Sequence, residues 1–301
     1  MFWKKRPWLT LGAGLIGAGL YWHWSHPYPP AVRQRLRKAL YLRYQPDVSV
    51  DEIDRTFEDA IQAALKSELA SNTPAVIGIQ VEYAKLLAQR GHRHRAAQVY
   101  DQAWQSAQTR LDSPKDVRYA ASIAHASAET WQSVHRPREA EHRWTWAITT
   151  LIKAAQRQQD PADVLRSPEF IDHVGPCVEA LAELQMQQHR MAEAYDSYIA
   201  AVNLMERRAG TPSTQPFREP FETHRPCRLA TIMNNLAVVT LSRGYADQAR
   251  QWHLLAERAF KEGMERRRFW RSDDANEMGV CEECKEALDR NRHMMIEKQR
   301  P

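Results

Sequence analysis

LAELQMQQHRMAEAYDSYIAA, Leu181 to Ala201, reads as one complete helical hairpin. Leu181 and Ala182 belong to a first helix, and Ala194, Tyr198 and Ala201 share one face of a second at i, i+4 and i+7. Those positions form a packing code. Alanine at the crossing points lets two helix backbones approach closely, and the aromatic between them fills the groove that a neighbouring hairpin offers. One hairpin cannot bury its own apolar face, so the rest of the chain is expected to supply copies.

Three copies are readable. Ala84, Gly91, Ala96, Tyr100 and Ala103 fit the frame, as do Ala128, Ala140, Trp144 and Ala147, and then Ala237, Gly244, Ala249 and Ala256 with His253 in the aromatic slot. Gly91 falls at the turn between helices, where glycine takes a left-handed conformation at least cost. The pattern resembles the tetratricopeptide repeat, whose small, small, aromatic and small positions are matched by Ala182, Ala194, Tyr198 and Ala201. Spacing between copies exceeds the ~34 residues of that repeat, which implies longer helices or inserted loops. An all-α, tetratricopeptide-like helical-hairpin solenoid follows, preceded by a single amino-terminal transmembrane helix.

With 301 residues, 43% of them hydrophobic, the chain can bury a substantial core as one elongated solenoid. No alternating apolar run suggests a strand. A formal charge of +5 is too mild to name a nucleic-acid partner. The one basic and aromatic cluster, ERRRFWR from Glu265 to Arg271, reads as a solvated helix end or, alternatively, as a phosphate or RNA contact.

The boundaries expected are a membrane anchor and Pro-rich exit over 1–30, a repeat domain over 31–263, and a basic segment with a capping helix over 264–301. Lys4, Lys5 and Arg6 precede the apolar stretch WLTLGAGLIGAGLYWHW, Trp8 to Trp24. As a helix it reaches about 25 Å, slightly under the ~30 Å hydrocarbon core. Trp8 at one end and Tyr21, Trp22 and Trp24 at the other sit where interfacial aromatics belong. GAGLIG within it satisfies GxGxxG but follows no strand, so a dinucleotide site is discarded. The bulky, Pro-rich residues that follow offer no small-residue cleavage site, which favours a retained anchor over a cleaved signal. Arg33, Arg35, Arg37, Lys38 and Arg43 lie close behind, so both flanks are positive and charge does not choose an orientation. This run rests against anionic headgroups or forms the polar face of an amphipathic helix.

Arg33 to Arg43 and Val50 to Leu69 read as an irregular first hairpin, with Phe57 and Ala60 in its aromatic and small slots. Pro74 begins the next hairpin, Ser113-Pro114 separates it from a hairpin over Tyr119 to Gln156, and Asp160-Pro161 and Ser167-Pro168 punctuate the following connection, as proline at a helix start would. Gly210 to Pro226 reads as a surface loop, Cys227 to Gly263 as the final hairpin, and Asp273 to Gln299 as a helix capping the open end.

Chemistry is sparse. Cys281 and Cys284 form a lone CxxC in a helical context, without the second pair that zinc requires. A disulfide between Cys177 and Cys227 is conceivable in an oxidising compartment. No nucleophile motif, carboxylate pair or phosphate loop is present, so neither catalysis nor a cofactor or metal is expected. A repeat array instead offers a groove lined by the first helix of each hairpin. Its polar positions are Lys85, then His125 and Glu129, then Glu179 and Glu183, then the pair Asn234 and Asn235. Only Lys85 suits a clamp for a C-terminal carboxylate; the asparagines suit an extended peptide backbone.

RLRKALYLRYQPD from Arg35, IGIQVEYAKLLAQRG from Ile77 and NNLAVVTLSRG from Asn234, together with the anchor, resemble the fungal tetratricopeptide adaptor of the mitochondrial i-AAA protease. That resemblance implies a non-enzymatic, single-pass inner-membrane protein with its repeats in the intermembrane space. Its partners would be the i-AAA protease complex and unfolded substrate proteins, with no nucleic acid. An outer-membrane import receptor or a respiratory-complex assembly factor are the alternatives.

Overall fold

In the computed structural model the described residues are 28–45, 47–67, 69–209, 225–270, 282 and 284–292. The apolar segment 8–24 and the 210–224 stretch lie outside them. Among the described residues every regular element is a helix. The elements are α1 (Pro30–Tyr41) with a 3-10 turn (Leu42–Tyr44), α2 (Val50–Lys66), α3 (Pro74–Gln89), α4 (Arg93–Gln108), α5 (Pro114–Ser133), α6 (Pro137–Gln156), α7 (Pro161–Arg166), α8 (Pro168–Gln187), α9 (Met191–Ala209), α10 (Arg225–Ser242) and α11 (Ala246–Trp270). The chain divides into two compact units, 1–109 and 110–301.

Helix starts follow the sequence signals. Ser49, Thr73, Ser113 and Ser167 each accept a hydrogen bond from the backbone N–H three residues on, and three of these caps are followed directly by proline. Pairs pack as consecutive hairpins, α1 with α2 and α3 with α4 in the first unit, then α5 with α6, α8 with α9 and α10 with α11 in the second. Two features account for the wide repeat spacing. Helices α5, α6 and α8 reach 20 residues, and the short α7 is inserted between hairpins where only a connection was expected.

The four turns that share the repeat frame close identically. Gly91, His135, His189 and Gly244 all adopt positive φ, at 83°, 59°, 59° and 90°. Each donates its N–H to the carbonyl three residues back, and the next residue donates to the carbonyl five back, as Gly91 to Ala88 (3.0 Å) and His92 to Leu87 (2.9 Å) do in the first. This double closure satisfies the last helical carbonyls and reverses the chain in a fixed geometry.

The packing positions are interior. Ala84, Ala96, Ala128, Ala140, Ala182, Ala194, Ala237, Ala249 and Ala256 have no accessible surface; Trp144 and Tyr198 have none either, and Tyr100 keeps only 6%. In the irregular first hairpin, Phe57 is fully buried and stacks on Tyr83 of α3 at 5.0 Å. At the far end, Cys284 and Leu288 are buried in the helical segment 284–292, and Arg292 pairs with Glu257 of α11 at 2.5 Å. That part of the expected capping helix therefore lies on the last hairpin. Met294, Met295 and Ile296 lie outside the described residues.

Candidate functional site

In the second unit, the first helices of successive hairpins bring charged side chains together. Arg228 of α10 donates from Nε to Glu179 of α8 at 2.7 Å, and its Nη2 lies 2.6 Å from the same carboxylate oxygen. Glu129 of α5 meets the Nε2 of His125, one turn earlier, at 3.2 Å. That hydrogen bond and the nearby Arg228 hold the Glu129 carboxyl below its ordinary range, against burial. Glu183 moves the other way. Burial and repulsion by Glu179 raise its pKa, with Gln187, which donates to it at 3.3 Å, only partly opposing them. Beneath these carboxylates, burial and the charges of Glu183 and Glu179 push the Tyr198 phenol up. Its buried hydroxyl has no hydrogen-bond partner of good geometry, although the Asn235 amide lies close enough to favour its ionised form. The resulting face carries Glu129 and Glu179 near Arg228, Glu183 close to Glu179, and half-buried Asn235 close to Tyr198.

Two candidates stand elsewhere. Lys85 belongs to the first unit, where its Nζ lies 2.7 Å from Glu82, which Arg43 also holds at 2.9 Å. Burial raises the Glu82 pKa, but Lys85 and Arg43 outweigh it and leave the carboxyl below its usual range. Asn234 has no accessible surface, and its Oδ1 lies 3.2 Å from Nδ1 of buried His253. It faces the interior of its own hairpin, unlike its neighbour Asn235.

Sequence reasoning missed Arg228 as a groove residue and missed what His125 answers. Trp144, fully buried in the aromatic slot, donates its indole N–H to His125 Nδ1 at 3.0 Å. With Nδ1 accepting, the ring donates from Nε2 toward Glu129. A buried tryptophan needs such an acceptor, which was the available signal.

Cys177 Sγ lies 3.6 Å from the same Nδ1 and also donates to the His173 carbonyl at 3.3 Å. A thiol, an imidazole and a carboxylate are thus aligned, but Cys177 is only 1% exposed, which leaves no approach for a substrate. The disulfide conceivable between Cys177 and Cys227 is not formed: Cys177 is free, held on α8 within reach of its own helix carbonyl, while Cys227 is disulfide-bonded elsewhere. Among the described residues no group of three or more His, Cys, Asp or Glu side chains could hold a metal ion. Among the same residues no helix is long and apolar enough to cross a membrane, and the apolar 8–24 stretch lies outside them. The side chains of Arg266 to Trp270 and all of Arg271 lie outside the described residues too, so the basic cluster is not placed.

No family profile matches the chain. A TPR repeat-containing protein of Schizosaccharomyces pombe is 26% identical over 250 residues, which are 80% of this chain and 62% of that protein. The chain therefore spans less than two thirds of that relative's length. Among solved structures, aspartyl phosphate phosphatase F from Bacillus subtilis aligns over 89% of this chain and 58% of its own, with a TM-score of 0.52 at 11% identity. A Podosopora anserina kinesin light chain with nearly identical TPR-like repeats aligns over 82% of this chain and all of its own, with a TM-score of 0.50 at 15% identity. At such identities the likeness concerns the fold alone, an all-α tetratricopeptide-like repeat array.

Proposed function

We propose that this repeat protein, whose architecture suits protein–protein interaction, is a non-enzymatic, membrane-anchored adaptor. In this reading it recruits unfolded or partly folded substrate proteins to the i-AAA protease of the mitochondrial inner membrane, with its repeats facing the intermembrane space. The observation that carries it is the α5, α8 and α10 face. Glu129, Glu179, Glu183, Arg228 and Asn235 stand polar and partly open over a closed alanine and aromatic core, which is a surface for holding a chain rather than transforming it. The apolar 8–24 segment supplies the anchor, and the resemblance in three stretches of the sequence supplies the protease.

Proximity labelling from a tag after Pro301, combined with protease protection in mitochondria and mitoplasts, tests it. Labelling of an inner-membrane AAA protease, with protection lost only when the outer membrane is ruptured, is the expected result. Cleavage of the tag in intact mitochondria with import machinery labelled would replace this reading with an outer-membrane receptor. Labelling of a respiratory-complex subunit alone would replace it with an assembly factor.

A further inference from the structure

The first 46 residues contain eight Lys and Arg and no Asp or Glu, so the remainder of this +5 chain nets three negative charges. The positive surplus is thus confined to the apolar segment's flanks and to α1. Helix α1 buries Val32, Leu36 and Ala39 against α2, and Leu42 continues that stripe through the 3-10 turn. Its other face is exposed and carries Arg35, Arg37 and Lys38. Alongside them Tyr41 is 62% and Tyr44 78% exposed, their rings 6.5 Å apart. Large exposed aromatics among cations, with no acid on the helix, suit the boundary between a bilayer and water.

Position reinforces chemistry. Tyr28 donates its hydroxyl to the Ala75 carbonyl of α3 at 2.9 Å, which ties the chain to the first unit just four residues after Trp24 ends the apolar stretch. Four extended residues span at most ~14 Å. Wherever residues 8–24 enter a membrane, α1 therefore stands within or next to the headgroup layer. Nucleic acid is a poorer match, because nothing in that partner calls for an apolar segment so close to the basic face.

We infer that the Arg35, Arg37, Lys38, Tyr41 and Tyr44 face of α1 lies on the surface of an anionic phospholipid bilayer. The contact holds the first hairpin against the membrane, and the rest of the chain, with three net negative charges, adds no net attraction to the same surface. The inference rests on the anchor in the function proposed above, but not on the protease.

The test uses the full chain with p-benzoylphenylalanine in place of Tyr44, incorporated into phosphatidylcholine vesicles with or without phosphatidylserine and irradiated. Phosphatidylserine should raise lipid crosslinking several-fold. The R35Q/R37Q/K38Q variant should lose that gain, because each basic residue near an anionic surface is worth roughly fivefold in partitioning. Salt on the order of 1 M, where the screening length falls to ~3 Å, should also abolish it. Equal yields with and without phosphatidylserine would overturn the inference, as would a label that leaves lipid for an added single-stranded oligonucleotide. If carbonate strips the chain from both kinds of vesicle, the anchor is lost and flotation reads the face instead. Salt-sensitive flotation with phosphatidylserine vesicles would then sustain the inference, and flotation with neither would end it. Failure to label a protease in mitochondria would remove the adaptor reading and leave these outcomes unchanged.

Discussion

The α5/α6 and α10/α11 hairpins solve one packing problem with different chemistry. In the first, Trp144 fills the aromatic slot and is answered by His125, 19 residues earlier; in the second, His253 fills the same slot and is answered by Asn234, also 19 residues earlier. In these two hairpins the slot holds a flat ring with a polar tip, and the position three before the first small residue supplies that tip's partner. The difference lies in what remains unmet. Trp144 offers one donor and finds one acceptor. His253 also faces Glu257, 3.2 Å from its Nε2, and the Asn234 amide nitrogen is left without a partner. Both hairpins thus hold a titratable ring: in the first it is His125, the partner of the slot residue, in contact with Glu129 and Cys177, and in the second it is the slot residue itself, buried beside Glu257.

Removing the large ring is the hardest test of that contrast. Trp144→Ala should cost about 3–5 kcal/mol, because a fully buried side chain is lost and its alanine-lined site cannot collapse. The melting temperature should fall by roughly 10 °C. Asn234→Ala should cost about 1–3 kcal/mol by stranding the imidazole, and a negligible shift in the urea midpoint would break the parallel between the two pairs.

Acid sharpens it further. Burial lowers the His253 pKa, Glu257 works against that, and Arg292 adds to it. Above the ordinary histidine range the ring is neutral in folded and unfolded chains alike and pH has no leverage. As pH falls through that range the unfolded chain takes up a proton that the folded one resists, so stability drops until the lowered folded pKa is passed. Melting curves of wild type and His253→Gln between pH 7 and pH 5 should diverge, with the variant flatter; parallel curves would assign the pH response to another group.

The turns divide the hairpins differently. Gly91 and Gly244 close two, while His135 and His189 take the same left-handed backbone in the others. Space around both glycines is open, so the cost of Gly91→Ala or Gly244→Ala is purely conformational, about 1–2 kcal/mol. His135→Gly and His189→Gly should stabilise by less, about 0.5 kcal/mol, because glycine also enlarges the unfolded ensemble. The smallest effect is expected at the groove. Glu183 is protonated more readily folded than unfolded, so Glu183→Gln should add at most about 0.5 kcal/mol at neutral pH, and the gain should vanish once acid protonates the wild-type carboxyl in both states.

Much of this was legible in the chain alone. A small residue, a turn seven positions on and another small residue after five more recur at Ala84, Ala128, Ala182 and Ala237, and local sterics convert that spacing into a hairpin without outside help. The candidate site was less legible. His125, Glu179 and Asn234 hold one frame position, yet Glu179 turns to Arg228, His125 to Trp144 and Asn234 wholly inward to His253. Which way that position turns depends on the residue in the slot opposite, and no spacing rule within one helix contains that information.

Periodicity, caps and turn residues thus determined the helices, their pairing and the alanine seams, because each depends on residues within a few turns of one another. Tertiary structure alone decided that Arg228 would cross to Glu179 from 49 residues away, that Asn234 would leave the surface, and that Tyr28 would tie the chain to Ala75. Those outcomes rest on distances between helices that are remote in sequence, and such distances exist only once the hairpins have packed.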